Sequence, residues 1–367
     1  MCTSIKLRKN SEIILGQNYD FYYGHGLILT NNPFVSKAAL TEECSIENLF
    51  TEENRGGRWK SKYGSVTFNQ FGRELPTCGI NEAGLSITSM WHNSVQKPSV
   101  ALEKPLISEL QWIQMQLDLY ATIEEVESGL SQYAYFVSMY PMHYHIVDRT
   151  GESAIVEMIN GKLQVIKDTD ITACGNAGIN ESIEYVKRQQ IKRPKDIPLV
   201  EPILDRVTKA IAMSNEFNKS DTDKDIRLKA FEILDCVALN VGFNDLFRWI
   251  GKRIPPSRTF LQIVFDLTNM KVIFKSLVKK NSTYRELSIK DINFLETESV
   301  LVYDVDQLGE GSILNQMETY TKKANEKIVR KTYMPVIKDF PIEVQEEIIC
   351  FPELYLSEKN KQNQNTM

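Results

Sequence analysis

Hydrophobic and polar positions alternate with period two from the start of the chain. In Cys2-Thr3-Ser4-Ile5-Lys6-Leu7, Thr3, Ile5 and Leu7 share one face, which predicts a strand that begins inside a sheet. The turn-forming Lys9-Asn10-Ser11 and the run Glu12-Ile13-Ile14-Leu15 predict a second strand folded back on the first. That hairpin returns Asn18 and Asp20 to the neighbourhood of Cys2. Residues 64–71 and 84–91 pattern as strands flanking the Glu74-Leu75-Pro76-Thr77 turn. Residues 143–148, 153–159 and 162–167 read as a β-meander whose last turn, Asn160-Gly161, is a strong hairpin signal. A further hairpin is predicted over 259–266 and 271–277, and one more strand over 298–304.

Helical spacing takes over between these segments. Residues 105–120 place Leu110, Ile113, Leu117 and Tyr120 on one face, and Thr122-x-x-Glu125 is a capping box opening a second helix through about 133. Helices are also predicted near 180–190, 200–215 and 224–240, and the polar stretch 315–330 reads as another. Pro335, Pro341 and Pro352 punctuate the segment after it, and the polar residues 358–367 read as disordered. The pattern by itself gives the class α+β. It suggests a main domain over 2–305 and a helical extension over 306–357 packed on it.

Composition narrows the function classes. The 367 residues are 42% hydrophobic, enough for a sizeable core, and the formal net charge of −5 argues against a nucleic-acid partner. No stretch approaches 18 consecutive apolar residues, so no membrane span is expected. Lys6, Arg8, Lys9, Asn10 and Glu12 interrupt any apolar leader, and a mature chain starting at Cys2 would have no signal peptide, so the expected location is the cytoplasm. The six cysteines (2, 44, 78, 174, 236 and 350) contain no C-x-x-C pair, which argues against a zinc ribbon or a disulfide scaffold. His143-x-His145 sets two rings on one strand face, but no third and fourth ligand lie nearby in sequence, so no metal is expected.

The candidate chemistry is concentrated at the N-terminus. Met1 is removable when the next residue is small, and removal would leave Cys2 with a thiol and a free α-amine on one residue. A thiol attacks as thiolate and needs a base. An α-amine titrates near ~7.7–8, so it can be that base at neutral pH.

Cys2-Thr3-Ser4-Ile5 and Gly16-Gln17-Asn18-Tyr19-Asp20-Phe21 resemble the choloylglycine hydrolase family, which includes conjugated bile acid hydrolases and penicillin V acylases. Cys78-Gly79-Ile80-Asn81-Glu82-Ala83-Gly84-Leu85, Ala173-Cys174-Gly175-Asn176, Phe231-Glu232-Ile233-Leu234 and the hairpin from Ser257 to Phe274 continue the resemblance in order over about residues 2–280. It implies an N-terminal-nucleophile hydrolase with an αββα sandwich, cleaving linear amides without a cofactor. Residue by residue it implies Cys2 as nucleophile and base, with Asp20 holding the α-amine. Asn81 would give an oxyanion N–H and Asn176 an oxyanion side-chain amide. Arg206 is the favoured match to the family arginine, with Arg227 as its competitor. Where bile acid hydrolases and penicillin V acylases have arginine, this chain has Gln17, which resembles the acyltransferase branch more closely. The implied partner is a small N-acyl amide. Gln17, Tyr22, Phe68, Trp91 and Tyr140 are candidate substrate contacts, and Phe243–Trp249 is a candidate lid or subunit contact. Acyl transfer to an amine, a noncatalytic binding role and homo-oligomerisation stay open.

Overall fold

The first two strands form as their pattern predicts. Thr3–Lys9 and Glu12–Phe21 pair antiparallel from Lys9↔Glu12 to Thr3↔Asn18, and Asn10 turns the chain at φ 53°, a left-handed conformation that Asn tolerates. They belong to a computed structural model describing every residue except 1, 42–46, 48, 93–102, 168–170, 190–196, 198–200, 221, 241–255, 278–281, 296–298, 337–340 and 365–367.

Two large sheets carry the architecture. The first runs in the order Ala173–Cys174, Thr3–Lys9, Glu12–Phe21, Arg258–Asp266, Lys271–Ser276, Arg285–Ser288, Gly311–Ser312, seven described strands. The second runs Lys162–Ile166, Ser153–Ile159, Met142–Val147, Ser86–Trp91, Pro76–Asn81, Ser65–Asn69, Leu27–Asn31, Leu301–Asp304, Glu318–Thr319, nine described strands. Their facing sides interlock through Leu15, Ile263, Phe265 and Phe274 from the first sheet and Ile28, Val66, Phe68, Ile80 and Ile155 from the second, all buried. Full burial of each such side chain is worth ~1.5–3 kcal/mol.

Helices close both outer faces. Pro202–Lys219 and Ile226–Cys236 cover Ile5, Leu7 and Ile14 of the first sheet with Val207, Phe217, Phe231 and Leu234. Glu109–Leu119 covers Ile87, Tyr144, Ile146 and Val156 of the second with Trp112, Ile113 and Leu117. The result is the αββα sandwich. C-terminal helices Lys322–Val336 and Ile342–Gln364 pack Ile328, Val329, Tyr333, Ile349 and Phe351 against Leu27, Leu29, Phe71 and Val302. No described helix is long and apolar enough to cross a membrane.

Several boundaries differ from the sequence pattern for visible reasons. The first long helix starts at Glu109, because Leu106–Ser108 pairs with Ala134–Phe136 and Ser108 caps the helix by accepting the Gln111 N–H. The helix after Thr122 ends at Gly129 and passes into a short 3₁₀ turn. The stretch 315–330 is split: Glu318–Thr319 pairs with Leu301–Val302 at the sheet edge, and helix begins only at Lys322. Edge pairing there overrides helix propensity. The last helix runs to Gln364, into the segment from 358 that reads as disordered, continued by the good helix formers Glu, Lys and Gln. The Asn160-Gly161 turn has φ 51° and 76°, the backbone a tight hairpin requires. Phe243–Trp249 lies outside the described residues.

Candidate active site

Strand register brings the site together. Because Thr3 faces Asn18, Cys2 comes to rest beside Asp20: the Asp20 N–H reaches Cys2 Sγ at 3.5 Å, and the thiol reaches the Asp20 carbonyl at 3.5 Å. The edge strand pairs Ser4 with Cys174, and Asn176 follows two residues beyond the end of that strand.

Asp20 and its partners form the charged part of the site. One carboxylate oxygen accepts from Arg206 Nη2 at 2.6 Å and the other from Thr259 Oγ1 at 2.5 Å. Arg206, on the Pro202–Lys219 helix, also donates to the Val237 carbonyl at 2.7 Å. Thr259 sits beside an irregularity in the ladder between Thr259 and Leu261, a local shift of the kind that re-aims side chains near functional sites. Burial pushes the Asp20 carboxyl up from its ordinary range, against the pull of Arg206 and Thr259. Burial also pushes the Cys2 thiol up, so Cys2 depends on a base to become nucleophilic.

Cys2 opens onto a pocket of about 300 Å³ lined by Tyr19, Asp20, Phe21, Tyr22, Phe71, Thr77, Ser89, Trp91, Tyr140, Met142 and Ser257. Its walls are mostly aromatic: the Trp91 and Tyr140 rings lie 4.7 Å apart, and Phe21 meets Phe71 edge-on at 5.7 Å. Among the described lining residues Asp20 is the one carboxylate, and it is already paired with Arg206. A cavity of about 610 Å³ near Trp112, Tyr133, Tyr135 and Leu163 is larger but lies away from Cys2.

The structure thus brings together Cys2, Asp20 and Arg206, with Tyr22, Trp91 and Tyr140 on the pocket wall. Asn176 joins them through Trp91, whose carbonyl accepts its Nδ2–H at 2.5 Å. Arg227 lies elsewhere, paired with Glu12, Asp225 and Asp266.

Three expectations need correcting. Asn81 does not reach Cys2. Its backbone N–H donates to the Leu85 carbonyl at 3.0 Å, and its side chain binds the Leu117 and Tyr120 carbonyls and the Leu85 N–H. Asn81 ends the strand of which Thr77, four residues earlier, lines the pocket, a separation of ~13 Å. Gln17 is fully buried between the sheets, donating to the Ser89 carbonyl at 2.8 Å, and does not line the pocket. Phe68 is core, with Phe274 at 5.7 Å and Phe265 at 6.3 Å. Thr259, Phe71, Thr77 and Ser89 carry no role in the sequence reading; Thr259 lay within a recognised segment, whereas the others arrive through long-range pairing.

Both histidines of the pair are buried and hydrogen-bonded in the core. His145 Nδ1 meets Ser4 Oγ at 2.7 Å, and burial lowers its pKa to about 3, so it is neutral. His143 gains partners distant in sequence: Glu157 at 3.1 Å and, ring against ring at 4.8 Å, His92. Among the described residues His92, His143 and Glu157 form a buried group of metal-ligand type; they contact one another, the Gly175 carbonyl and the Ile179 N–H, and the Cys174 thiol lies 3.9 Å from His143 Nε2. A second such group, Glu124, Asp148 and Glu152, is more exposed.

Known proteins place this geometry. The chain superposes on penicillin V acylase from Agrobacterium tumefaciens with a TM-score of 0.73 at 20% identity, covering 88% of this chain and 98% of that one. It superposes on a conjugated bile acid hydrolase from Clostridium perfringens with a TM-score of 0.67 at 16% identity, covering 85% and 99%. These likenesses establish the N-terminal-nucleophile hydrolase fold. In sequence, 123 residues are 34% identical to penicillin V acylase of Pectobacterium atrosepticum, spanning 29% of this chain and about a third (32%) of that relative. Residues 2–178, the segment that holds Cys2, Asp20 and Asn176, match the linear amide C–N hydrolases of the choloylglycine hydrolase family.

Proposed function

We propose that this chain is an N-terminal cysteine amidohydrolase that cleaves a linear, non-peptide amide of an N-acyl substrate through a thioester. The observation that carries the reading is Cys2 at the base of an aromatic pocket, in contact with an Asp20 clamped by Arg206 and Thr259.

Removal of Met1 frees the Cys2 α-amine next to Asp20, and that amine takes the thiol proton directly or through one water. Sγ adds to the amide carbonyl. As the C–N bond breaks, the proton passes to the departing amine, leaving an acyl thioester; water then releases the carboxylic acid and restores the thiol. No step calls for a metal or organic cofactor.

The oxyanion needs preorganised donors, each worth ~3–4 kcal/mol. Asn176 Nδ2 has two hydrogens, and Trp91 engages one. Trp91 N–H is the second donor, in place of Asn81. Along Ser86–Trp91, even-numbered His92 donates across to Pro141, whereas odd-numbered Leu85 accepts from Asn81 on the opposite side. Trp91 shares the parity of Leu85, and the described pairing on that side stops at Cys78↔Thr88, so its backbone groups turn to the opened edge where Asn176 lies.

Residues 2–305 hold the catalytic groups, and 306–357 pack on them as an extension that adds edge strands Gly311–Ser312 and Glu318–Thr319 to the two sheets and buries Phe71, a pocket residue, among its helices. Gln17, which suggested acyl transfer, is engaged in the inter-sheet bond and lends that alternative no support.

The test is a panel of N-acyl amides with phenoxyacetyl, long-chain and steroidal acyl groups, with free amine and acid quantified with and without an added acceptor amine. Release of acid by the wild type and none by Cys2→Ala is expected. Transfer to the acceptor without acid would replace hydrolysis by acyl transfer, and no product from any member would leave a binding protein.

A further inference from the structure

The buried group behind Asn176 has a geometry that the mechanism above does not use. Asn176 lies in the turn between the strand Ala173–Cys174 and the helix Ile179–Arg188. On its upstream side, His143 Nε2–H donates to the Gly175 carbonyl at 2.6 Å. On its downstream side, the Ile179 N–H donates to Glu157 Oε2 at 3.0 Å. The same Oε2 lies 3.1 Å from His143 Nδ1, so both ties end on one residue pair.

The partners fix the proton positions. Nε2 carries a hydrogen because a carbonyl can only accept. Nδ1 lies 3.1 Å from a Glu157 oxygen, and burial pushes the His143 pKa down against the pull of that carboxylate. His92 completes the group: its Nε2 is 3.4 Å from Glu157 Oε1, its ring meets that of His143, and it directly follows Trp91, whose carbonyl holds Asn176. The helix from Ile179 has no side-chain cap of its own, and the Glu157 carboxylate supplies the missing acceptor at its positive end. Gly178 lets the turn press onto the group, since a Cβ there would lie 3.3 Å from Glu157 Oε1 and 3.5 Å from His92 Nε2.

We infer that Glu157 and His143, braced by His92, are positioning residues that hold the Asn176 amide where the oxyanion of the Cys2 reaction forms. This rests on the amidohydrolase reading above. None of the three lines the pocket, so they act through Asn176 and Trp91. The three residues come from three adjacent strands, Ser86–Trp91 with its following residue, Met142–Val147 and Ser153–Ile159, so the rigid sheet sets the position of a turn that the chain alone would leave free. A misplacement of ~1 Å at such a donor is enough to lose about 10²-fold in rate.

The experiment compares wild type, Glu157→Ala, the near-isosteric Glu157→Gln, Asn176→Ala and the Glu157→Ala/Asn176→Ala double variant. Expected for Glu157→Ala is a kcat lower by about 10²-fold with KM within about threefold, because an oxyanion contact acts in the transition state. Alkylation of Cys2 by iodoacetamide, which needs no oxyanion hole, stays within about twofold of wild type. In the Asn176→Ala background the Glu157 change has no further effect on kcat, since both act through one group. Glu157→Gln loses one of the two contacts at Oε2 and falls between. An unchanged kcat, or losses that add in the double variant, overturns the inference. If the wild type turns over no amide, the functional reading fails, and hydrogen exchange of residues 173–179 decides the positioning: protection equal in wild type and Glu157→Gln overturns it.

Discussion

On the seven-stranded side of the pocket, Cys2 stands beside a carboxylate bound by a guanidinium and a hydroxyl. On the nine-stranded side the described wall residues are Thr77, Ser89, Trp91 and Met142, all uncharged, and the His143–Glu157 pair on that side holds the turn of Asn176 and does not line the cavity. The first side supplies the nucleophile and its proton chemistry. The second supplies shape and fixed dipoles. A low-dielectric wall strengthens each hydrogen bond made to a developing charge, and it would do so less well with mobile charges of its own.

The comparison breaks most severely at Arg206. Arg206→Leu leaves Asp20 buried beside Cys2 without its cation, and losing one member of a buried pair costs about 3–5 kcal/mol. A urea midpoint unchanged from wild type would show that Asp20 is held by Thr259 alone. Next comes the contrast between two asparagines. Asn176→Ala lowers kcat by about 10²–10³-fold at nearly constant KM. Asn81→Ala instead removes three hydrogen bonds, two that tie a turn to the Leu117 and Tyr120 carbonyls and one to the Leu85 N–H within the turn, costing about 1–3 kcal/mol of stability with kcat within about twofold. A kcat loss at Asn81 matching that at Asn176 would return Asn81 to the oxyanion hole.

The smallest effect is a pH dependence on the nine-stranded side. Glu157 is desolvated, yet hydrogen bonds to His143 and His92 hold its pKa down to about 2. Its folded value is below the unfolded value of ~4.3, so its contribution to stability is complete above that pH and is lost as pH falls toward about 2. Chemical denaturation across this range gives a slope that flattens in Glu157→Gln. An identical slope in both proteins would mean that Glu157 titrates alike folded and unfolded.

What could be read from the sequence follows the same division. Cys2 and Asp20 occupy two strands joined by one tight turn, so pattern and register alone bring them together. Arg206 followed from the family resemblance, by its place ahead of the Phe231 segment, and in the structure it binds Asp20. The two-sheet, two-helix-layer arrangement followed from period switching together with the motif resemblance. The second side was less legible because it is assembled by pairing between distant strands. Asn81 carries a strong motif, but the motif describes a turn whose own hydrogen bonds use it up. Gln17 and Phe68 fall on the correct inward faces, yet alternation gives the face of a residue and not its depth along the strand. Glu157 offered no signal at all: its role depends on lying next to His143 across Tyr144↔Val156, a register that local pattern does not specify.

The central claim is that Cys2 becomes the first residue and takes the acyl group. Intact-protein mass spectrometry before and after incubation with the N-acyl amide panel tests it directly. The account predicts a chain lighter by one methionine and an acyl adduct on wild type that is absent from Cys2→Ala. A chain that keeps Met1 and forms no adduct would contradict it.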